Sequence, residues 1–277
     1  MTLSDQGFLD IAPLRLEYRM IGPGPDAAPT IVMLHEGLGS SGLWGAFPDQ
    51  IAVATGAGVF VYSRAGYGKS RAGPLPRSVK FMHEEALTVL PHVLDAIGFE
   101  RGFLFGHSDG ASIATIYAGS AQDHRVRGLV LVAPHFFIED MGIAEIARAN
   151  AAFATGDFRD RLKRWHADVD SAFRSWSEPW LHPDFRKWDI TEELTYIRVP
   201  ILIVQGADDQ YGTLRQLDVA KDECFCPVET AVLPGVRHAP HREASEQTLK
   251  VAVDFINGLL RDHREGEKRA DSGVAAT

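Results

Sequence analysis

The sequence is poor in cysteine, in basic clusters and in long apolar runs, and each shortage excludes a class of protein. Its 277 residues include two cysteines, Cys224 and Cys226, which are too few for a disulfide framework or a four-ligand zinc site. We expect two structural thiols and no metal or organic cofactor. The net charge is −9 and Lys and Arg do not cluster, so no nucleic-acid partner is expected.

No stretch is long enough to cross a membrane. The longest nearly apolar run, Gly128 to Ile138, contains Pro134 and His135, whereas a spanning helix needs about 20 apolar residues. The first ten residues carry neither the basic nor the apolar part of a secretory signal. These features predict a soluble, cytoplasmic protein without a membrane partner, and they predict no particular oligomeric state.

Short β-rich runs alternate with helical patterns along the chain. The candidate strands are Leu14–Ile21, Thr30–Leu34, Gly58–Tyr62, Gly102–Phe105, Leu129–Val132, Ile201–Val204 and Val228–Leu233. Most are apolar throughout, which is typical of strands covered on both faces in a parallel sheet. The candidate helices are Val79–Ile97, which Pro91 would kink or divide, Ala111–Ala118 and Ser245–Leu260. The alternation predicts a doubly wound α/β domain.

The segment 135–196 interrupts this alternation, because it contains no convincing strand and holds four of the five tryptophans. We interpret it as a helical cap inserted into a core formed by residues 1–134 and 197–262; the alternative is a set of ordinary helices that pack the core. Residues 263–277 are expected to form a disordered tail. Three cap residues are predicted to bind substrate: Trp165, Trp176 and Trp180.

The strongest motif is Gly106-His107-Ser108-Asp109-Gly110, which follows a strand and precedes a helix. A G-x-S-x-G sequence in this context predicts a strained turn that exposes the serine hydroxyl at the end of the sheet. The flanking glycines suit the close approach of the two arms of the turn. Ser108 is therefore the candidate nucleophile, and the backbone N–H of Asp109 is a candidate oxyanion donor.

A serine nucleophile needs a base, and the base needs an acid to orient it; both are expected further along the chain. Asp209 follows the strand Ile201–Val204 and is the preferred acid, with Asp208 as the alternative. His238 lies in the loop between the last strand and the last helix and is the preferred base, with His241 as the fallback.

The second oxyanion donor is expected in the loop after Thr30–Leu34, which reads His35-Glu36-Gly37-Leu38-Gly39-Ser40-Ser41. We favour the backbone N–H of Leu38, with that of Glu36 as the alternative. A nearby segment ends Gly68-Lys69-Ser70 like a phosphate-binding loop, but Ser63 stands where that motif requires glycine.

The segments LHEGLGSSGLW, YSRAGYGKS, GHSDGAS, GADDQYG and GVRHAPH resemble the α/β-hydrolase superfamily, in the order and spacing of capped carboxylesterases and carbon–carbon bond hydrolases. The resemblance covers about residues 8–262. It implies an α/β-hydrolase fold, with a mostly parallel eight-stranded sheet, helices on both faces and an inserted helical cap. It also favours Asp209 over Asp208 and gives Arg64 a role in bracing turns. Relatives usually have His-Gly in the oxyanion loop, where Glu36 separates His35 from Gly37 here.

The leading hypothesis is a serine carboxylesterase in which Ser108, His238 and Asp209 cleave a small-molecule ester with an apolar acyl or aryl group. The first alternative is a carbon–carbon hydrolase of a vinylogous diketone that uses the same triad. The second is a ligand-binding member of the fold that has lost hydrolysis.

Overall fold

The computed structural model describes the backbone of residues 4–274 and the side chains of residues 4–262. Its centre is a sheet of eight strands in the order β1-β2-β4-β3-β5-β6-β7-β8. The strands are β1 (Gln6–Ile11), β2 (Leu14–Ile21), β3 (Thr30–Leu34), β4 (Gly58–Tyr62), β5 (Gly102–His107), β6 (Val126–Val132), β7 (Ile201–Gly206) and β8 (Val228–Leu233).

The sheet is mostly parallel, as predicted. Strand β2 runs antiparallel to both of its neighbours, β1 and β4, and the pairs from β4 to β8 are parallel. Strand β1 was not among the strands predicted from composition. It lies at the edge of the sheet and buries Leu9 alone, so it lacks the apolar pattern of the inner strands.

Helices cover both faces of the sheet, again as predicted. They are α1 (Phe47–Thr55), α2 (Phe81–Glu84), α3 (Leu90–Ala96), α4 (Asp109–Ser120), α5 (Asp140–Thr155), α6 (Phe158–Leu162), α7 (Val169–Leu181), α8 (Thr191–Tyr196), α9 (Arg215–Glu223), α10 (Pro240–Glu243) and α11 (Ser245–Val274). Alternate residues of β3 enter different cores: Ile31 belongs to the apolar cluster that includes α1 and α11, whereas Val32 belongs to the cluster that includes α3 and α4. Burying each such side chain contributes about 1.5–3 kcal/mol, which explains strands that are apolar on both faces.

Pro91 divides the helix that the sequence predicts over Val79–Ile97. A π-helical turn, Glu85–Val89, separates α2 from α3, and Pro91 is the second residue of α3. Proline removes a backbone donor and crowds the carbonyl group four residues earlier. The wider π turn accommodates both effects without ending the helical path.

Between β6 and β7 the chain forms α5 to α8 and one short 3-10 turn, Pro183–Lys187. Helix α8 packs closely against α4 of the central fold. The two backbones are so near that a Cβ atom on Gly119 of α4 would collide with the backbone of Glu193 of α8. The division into a core (1–134 and 197–262) and a cap (135–196) stays a prediction.

The last helix continues past Leu260, where the sequence predicts its end, to Val274. The predicted tail, 263–277, falls outside the residues whose side chains are described, so its disorder stays a prediction. Among the described residues, no helix combines the length and the apolar character that a bilayer crossing requires.

Candidate active site

Ser108 stands at the turn between β5 and α4 with φ 53° and ψ −119°. A residue other than glycine in such a conformation costs about 1–3 kcal/mol and persists only where its surroundings enforce it. Here a Cβ atom on Gly106 would collide with the backbone of Gly110, and one on Gly110 would collide with the backbone of Leu34. The turn is therefore tight enough to need both glycines, and it holds the hydroxyl at the carboxyl edge of the sheet.

The structure brings Ser108, His238 and Asp209 together in one hydrogen-bonded line. The Oγ atom of Ser108 lies 2.9 Å from Nε2 of His238. On the other side of the ring, Nδ1 lies 2.9 Å and 2.8 Å from the two carboxylate oxygens of Asp209. An ionised carboxylate only accepts, so Nδ1 carries the proton and Nε2 is free to accept the proton of the hydroxyl group.

The carboxylate of Asp209 is held on both of its oxygen atoms. The amide Nε2 of Gln205 donates to Oδ2 at 2.7 Å, and the backbone N–H of Tyr211 donates to Oδ1 at 2.8 Å. Burial by itself would raise the pKa of Asp209, but the neighbouring His238 and the Tyr211 N–H hold that pKa below its usual value. The acid therefore stays ionised at neutral pH and orients the imidazole.

The two alternative residues lie elsewhere. Asp208 is exposed, and its backbone N–H donates to the carbonyl group of Val236. The ring of His241 is buried. Its centroid lies 4.7 Å from that of Trp44 and 4.6 Å from that of His107. Neither side chain takes part in the line through Ser108.

Of the two predicted oxyanion donors, Asp109 directly follows Ser108 and Leu38 belongs to the loop after β3. Asp109 is the first residue of α4, so its N–H has no acceptor within the helix. Leu38 borders the same cavity as Ser108, and its carbonyl oxygen accepts a hydrogen bond from Nε2 of His166 at 3.0 Å. Glu36, the alternative, borders the cavity as well. The choice between Leu38 and Glu36 stays a prediction.

Arg64 connects the loop after β3 to the first residue of α4. Its guanidinium group donates to the carbonyl oxygens of His35 and Glu36, and it lies 3.7 Å from the carboxylate of Asp109. Burial raises the pKa of Asp109, although Arg64 acts in the opposite direction. Nε1 of Trp180 donates to the same carboxylate at 3.1 Å and so links α7 to the first residue of α4.

A cavity of about 100 Å³ opens above Ser108. Its wall consists of Glu36, Gly37, Leu38, Ser108, His135, Ile146, Trp176, Trp180, Tyr211 and His238. Two of the three predicted substrate-binding tryptophans, Trp176 and Trp180, are in this wall. A Cβ atom on Gly37 would collide with the indole of Trp176, so glycine is what allows α7 to approach the oxyanion loop.

The structure does not bring Trp165 to the cavity. It follows α6, packs beside Gly42, and has the guanidinium group of Arg164 over its ring at 5.2 Å. The turn between α6 and α7 directs it to the outer side of the loop that follows β3.

Sequence reasoning named Glu36 only as an alternative backbone donor, and it did not name as site residues His107, His135 or Tyr211, which lie in or near the cavity wall. Nε2 of His107 lies 2.8 Å from the carbonyl oxygen of His238, and the ring centroid of Tyr211 lies 4.5 Å from that of His238 with the two planes tilted by 46°. His135 could have been found from the sequence, because it follows β6, the strand next to the nucleophile. Ligands of α/β sheets bind outside the carboxyl ends of such strands. Within the described residues, no group of three or more His, Cys, Asp or Glu side chains could hold a metal ion.

Comparison with known proteins supports a hydrolase. A family model described as the alpha/beta hydrolase fold matches residues 29–187. The chain is 28% identical over 216 residues to a protein named as a carbamate hydrolase, from Caulobacter sp. (strain K31), which covers 69% of this chain and 78% of the relative.

Two further comparisons support different conclusions, because one is a similarity in sequence and the other a similarity in fold. A 2-hydroxy-6-oxononadienedioate/2-hydroxy-6-oxononatrienedioate hydrolase from Pseudomonas putida is 36% identical over 129 residues, which is 46% of this chain and 42% of that protein. A structure from a study of carboxylesterases of the thaumarchaeon Nitrososphaera gargenis superposes with a TM-score of 0.77 at 15% identity, covering 92% of this chain and 100% of the other. At that identity the superposition shows a shared fold alone.

Proposed function

The chain belongs to the alpha/beta hydrolase fold family, and from that premise we propose that it is a serine hydrolase that cleaves small carboxyl esters. The observation that carries the proposal is the line from Ser108 Oγ to His238 Nε2 at 2.9 Å and from His238 Nδ1 to Asp209 at 2.8 Å. Such a line activates a hydroxyl group that is otherwise a weak nucleophile at neutral pH.

The reaction proceeds through an acyl-enzyme. Ser108 Oγ attacks the ester carbonyl carbon while His238 Nε2 takes the hydroxyl proton, and the backbone N–H groups of Asp109 and Leu38 stabilise the oxyanion. Collapse of the tetrahedral intermediate breaks the ester C–O bond, and His238 returns the proton to the leaving alcohol. A water molecule, deprotonated by His238, then releases the acid and restores Ser108. No step requires a metal or an organic cofactor.

The volume of the cavity limits the size of the acyl group that it can hold. A dry cavity of about 150 Å³ in another protein holds a benzene molecule. The cavity above Ser108 has about 100 Å³ and an indole wall formed by Trp176 and Trp180. We therefore propose short acyl groups, of a few non-hydrogen atoms, in preference to aryl or long-chain ones.

A carbon–carbon hydrolase is the second candidate, supported by the 36% identity to the Pseudomonas putida hydrolase over 129 residues. The name of that relative describes a dicarboxylate substrate. A dianion is normally bound by Arg or Lys, and neither residue type is in the described wall of this cavity. The ester is therefore the first candidate.

The test is labelling with a fluorophosphonate probe, together with hydrolysis of 4-nitrophenyl acetate, for the wild-type chain and for Ser108→Ala. We expect the probe on Ser108 and loss of both signals in the variant. A ring-cleavage diketone in the same panel separates the two enzymes, because only a carbon–carbon hydrolase cleaves it faster than the ester. Absence of both labelling and hydrolysis in the wild-type chain would favour the ligand-binding alternative.

A further inference from the structure

His135 is held in place beside the nucleophile by its backbone. Strand β6 ends at Val132, and the next residue, Ala133, has φ 47°, a left-handed conformation that is costly for a residue with a side chain. Ser112 lies one helical turn after Ser108, and its hydroxyl group makes two hydrogen bonds with the backbone of His135. The hydroxyl oxygen accepts a bond from the N–H of His135 at 3.3 Å, and the hydroxyl group donates to the carbonyl oxygen of His135 at 2.6 Å. Strain and hydrogen bonds thus fix where this residue leaves the sheet.

The imidazole of His135 forms part of the cavity wall. Its ring centroid lies 5.6 Å from that of His238 and 5.3 Å from that of Trp180. Within the described part of the chain, His135 makes its hydrogen bonds through its backbone, and its ring nitrogens have no hydrogen-bond partner. A polar ring that is 4% exposed and lacks a partner is costly unless the cavity supplies one.

The ring is uncharged at neutral pH. Burial lowers the pKa of His135 to about 3, and the neighbouring His238 acts in the same direction. A neutral imidazole offers one N–H donor and one acceptor nitrogen. It therefore suits a hydroxyl or carbonyl oxygen rather than a carboxylate, which would also be repelled by Glu36 in the same wall.

We propose that His135 determines specificity by hydrogen-bonding a hydroxyl or oxo oxygen that lies next to the scissile bond of the ester. The distances set this position: the ring of His135 is adjacent to the ring of His238, whose Nε2 atom is 2.9 Å from the attacking oxygen. The preferred substrates are thus small esters with a polar oxygen two to four bonds from the reacting carbonyl carbon, on either the acyl or the alcohol side. This inference rests on the proposed esterase function and names the substrate class of the same site.

The experiment compares matched esters with and without the hydroxyl group. Phenyl glycolate against phenyl acetate tests a hydroxyl group on the acyl side, and 2-hydroxyethyl acetate against ethyl acetate tests the alcohol side. The ratio of kcat/KM within each pair is measured for the wild-type chain and for His135→Phe, His135→Asn and Trp165→Phe. Comparing this ratio between the wild-type chain and each variant cancels the intrinsic reactivity of the two esters.

In one of the two pairs, the preference for the hydroxylated ester should fall about tenfold in His135→Phe, which is the effect of one hydrogen bond. His135→Asn, which retains a donor and an acceptor, should recover part of the preference. Trp165→Phe changes an aromatic residue outside the cavity wall and should keep the wild-type ratio. Equal ratios in the wild-type chain and His135→Phe for both pairs would overturn the proposal.

A second measurement needs no variant and therefore does not depend on whether His135→Phe folds. Glycolamide should inhibit the wild-type chain at about one tenth of the concentration at which acetamide does, and equal inhibition would count against a role of His135 on the acyl side. The proposed esterase function fails in a different way. In that case no ester of either kind is hydrolysed and the fluorophosphonate probe does not label Ser108.

Discussion

The carboxylate Oε2 of Glu36 lies 3.4 Å from Nδ1 of His107, at ion-pair distance. The other nitrogen of the same ring, Nε2, meets the carbonyl oxygen of His238 at 2.8 Å. Glu36 belongs to the loop after β3, and His107 is the last residue of β5. The imidazole of His107 therefore links the oxyanion loop to the loop that carries the candidate base.

The first prediction concerns the stability that Glu36 supplies. Burial would raise the pKa of Glu36, but His107, and more weakly His241 and His35, hold that pKa well below its usual value. A carboxyl group with a lowered folded-state pKa stabilises the protein above its unfolded pKa, about 4.3, and loses this effect as the pH falls toward the folded value. Glu36→Gln should therefore lower the melting temperature at pH 7, and the difference from the wild-type chain should shrink below about pH 4.

Thermal melts at pH 7, 5.5, 4 and 3 check this prediction. Glu100→Gln is the control, because Glu100 is exposed and forms no ion pair with a described residue. Its melting temperature should follow that of the wild-type chain at every pH. A melting temperature of Glu36→Gln that equals the wild-type value at pH 7 would contradict the stabilising contact with His107.

The second prediction concerns the tautomer of His238. Asn in place of Asp209 can present an N–H group to Nδ1, which moves the ring proton to Nε2 and removes the acceptor for the Ser108 proton. Asp209→Asn should lower kcat on 4-nitrophenyl acetate by about 10³–10⁴-fold with little change in the melting temperature. Asp208→Asn is the matched control and should retain wild-type kcat. Equal losses in the two variants would count against Asp209 as the orienting acid.

The third prediction tests how tightly the nucleophile turn is packed. Gly110 lies against the backbone of Leu34, which cannot yield in the way a flexible side chain can. Gly110→Ala should lower the free energy of unfolding by about 3 kcal/mol or more. Gly258, in α11, has open space around a Cβ atom, so Gly258→Ala should raise that free energy by about 0.5–1 kcal/mol. Urea denaturation measures both, and a loss below 1 kcal/mol at position 110 would argue against the close approach.

The sheet and the placement of Ser108 and His238 could be predicted because each depends on a local pattern. Apolar strands that alternate with helices specify a parallel sheet, and G-x-S-x-G between a strand and a helix specifies a turn. The fold is confirmed by the structure and the family match. The roles of the triad residues stay proposals, although the three side chains meet as the order Ser, Asp, His requires.

The composition of the cavity wall was harder to predict, since it depends on which side of a helix or loop faces Ser108. Eleven Phe, Trp and Tyr residues lie in the segment 135–196, yet composition does not distinguish Trp176, which lies over Gly37, from Trp165, which lies beside Gly42. The role of the Glu36 side chain and the place of His135 in the wall were missed for a related reason. In the sequence Glu36 is a departure from a pattern, and His135 is a residue after a strand; only their packing reveals the cavity between them.

The last prediction uses that difference between the two tryptophans. Trp176 is in the wall above Ser108 and Trp165 is not, so the same substitution should have different effects on acyl-chain preference. Trp176→Phe removes one ring from the cavity wall, and a pocket discriminates about 10-fold or more per methylene group that it can or cannot hold. The kcat/KM ratio of 4-nitrophenyl butyrate to 4-nitrophenyl acetate should rise about tenfold in Trp176→Phe and keep its wild-type value in Trp165→Phe. Melting temperatures of both variants verify folding, and equal ratios in the two variants would remove Trp176 from the determinants of acyl length.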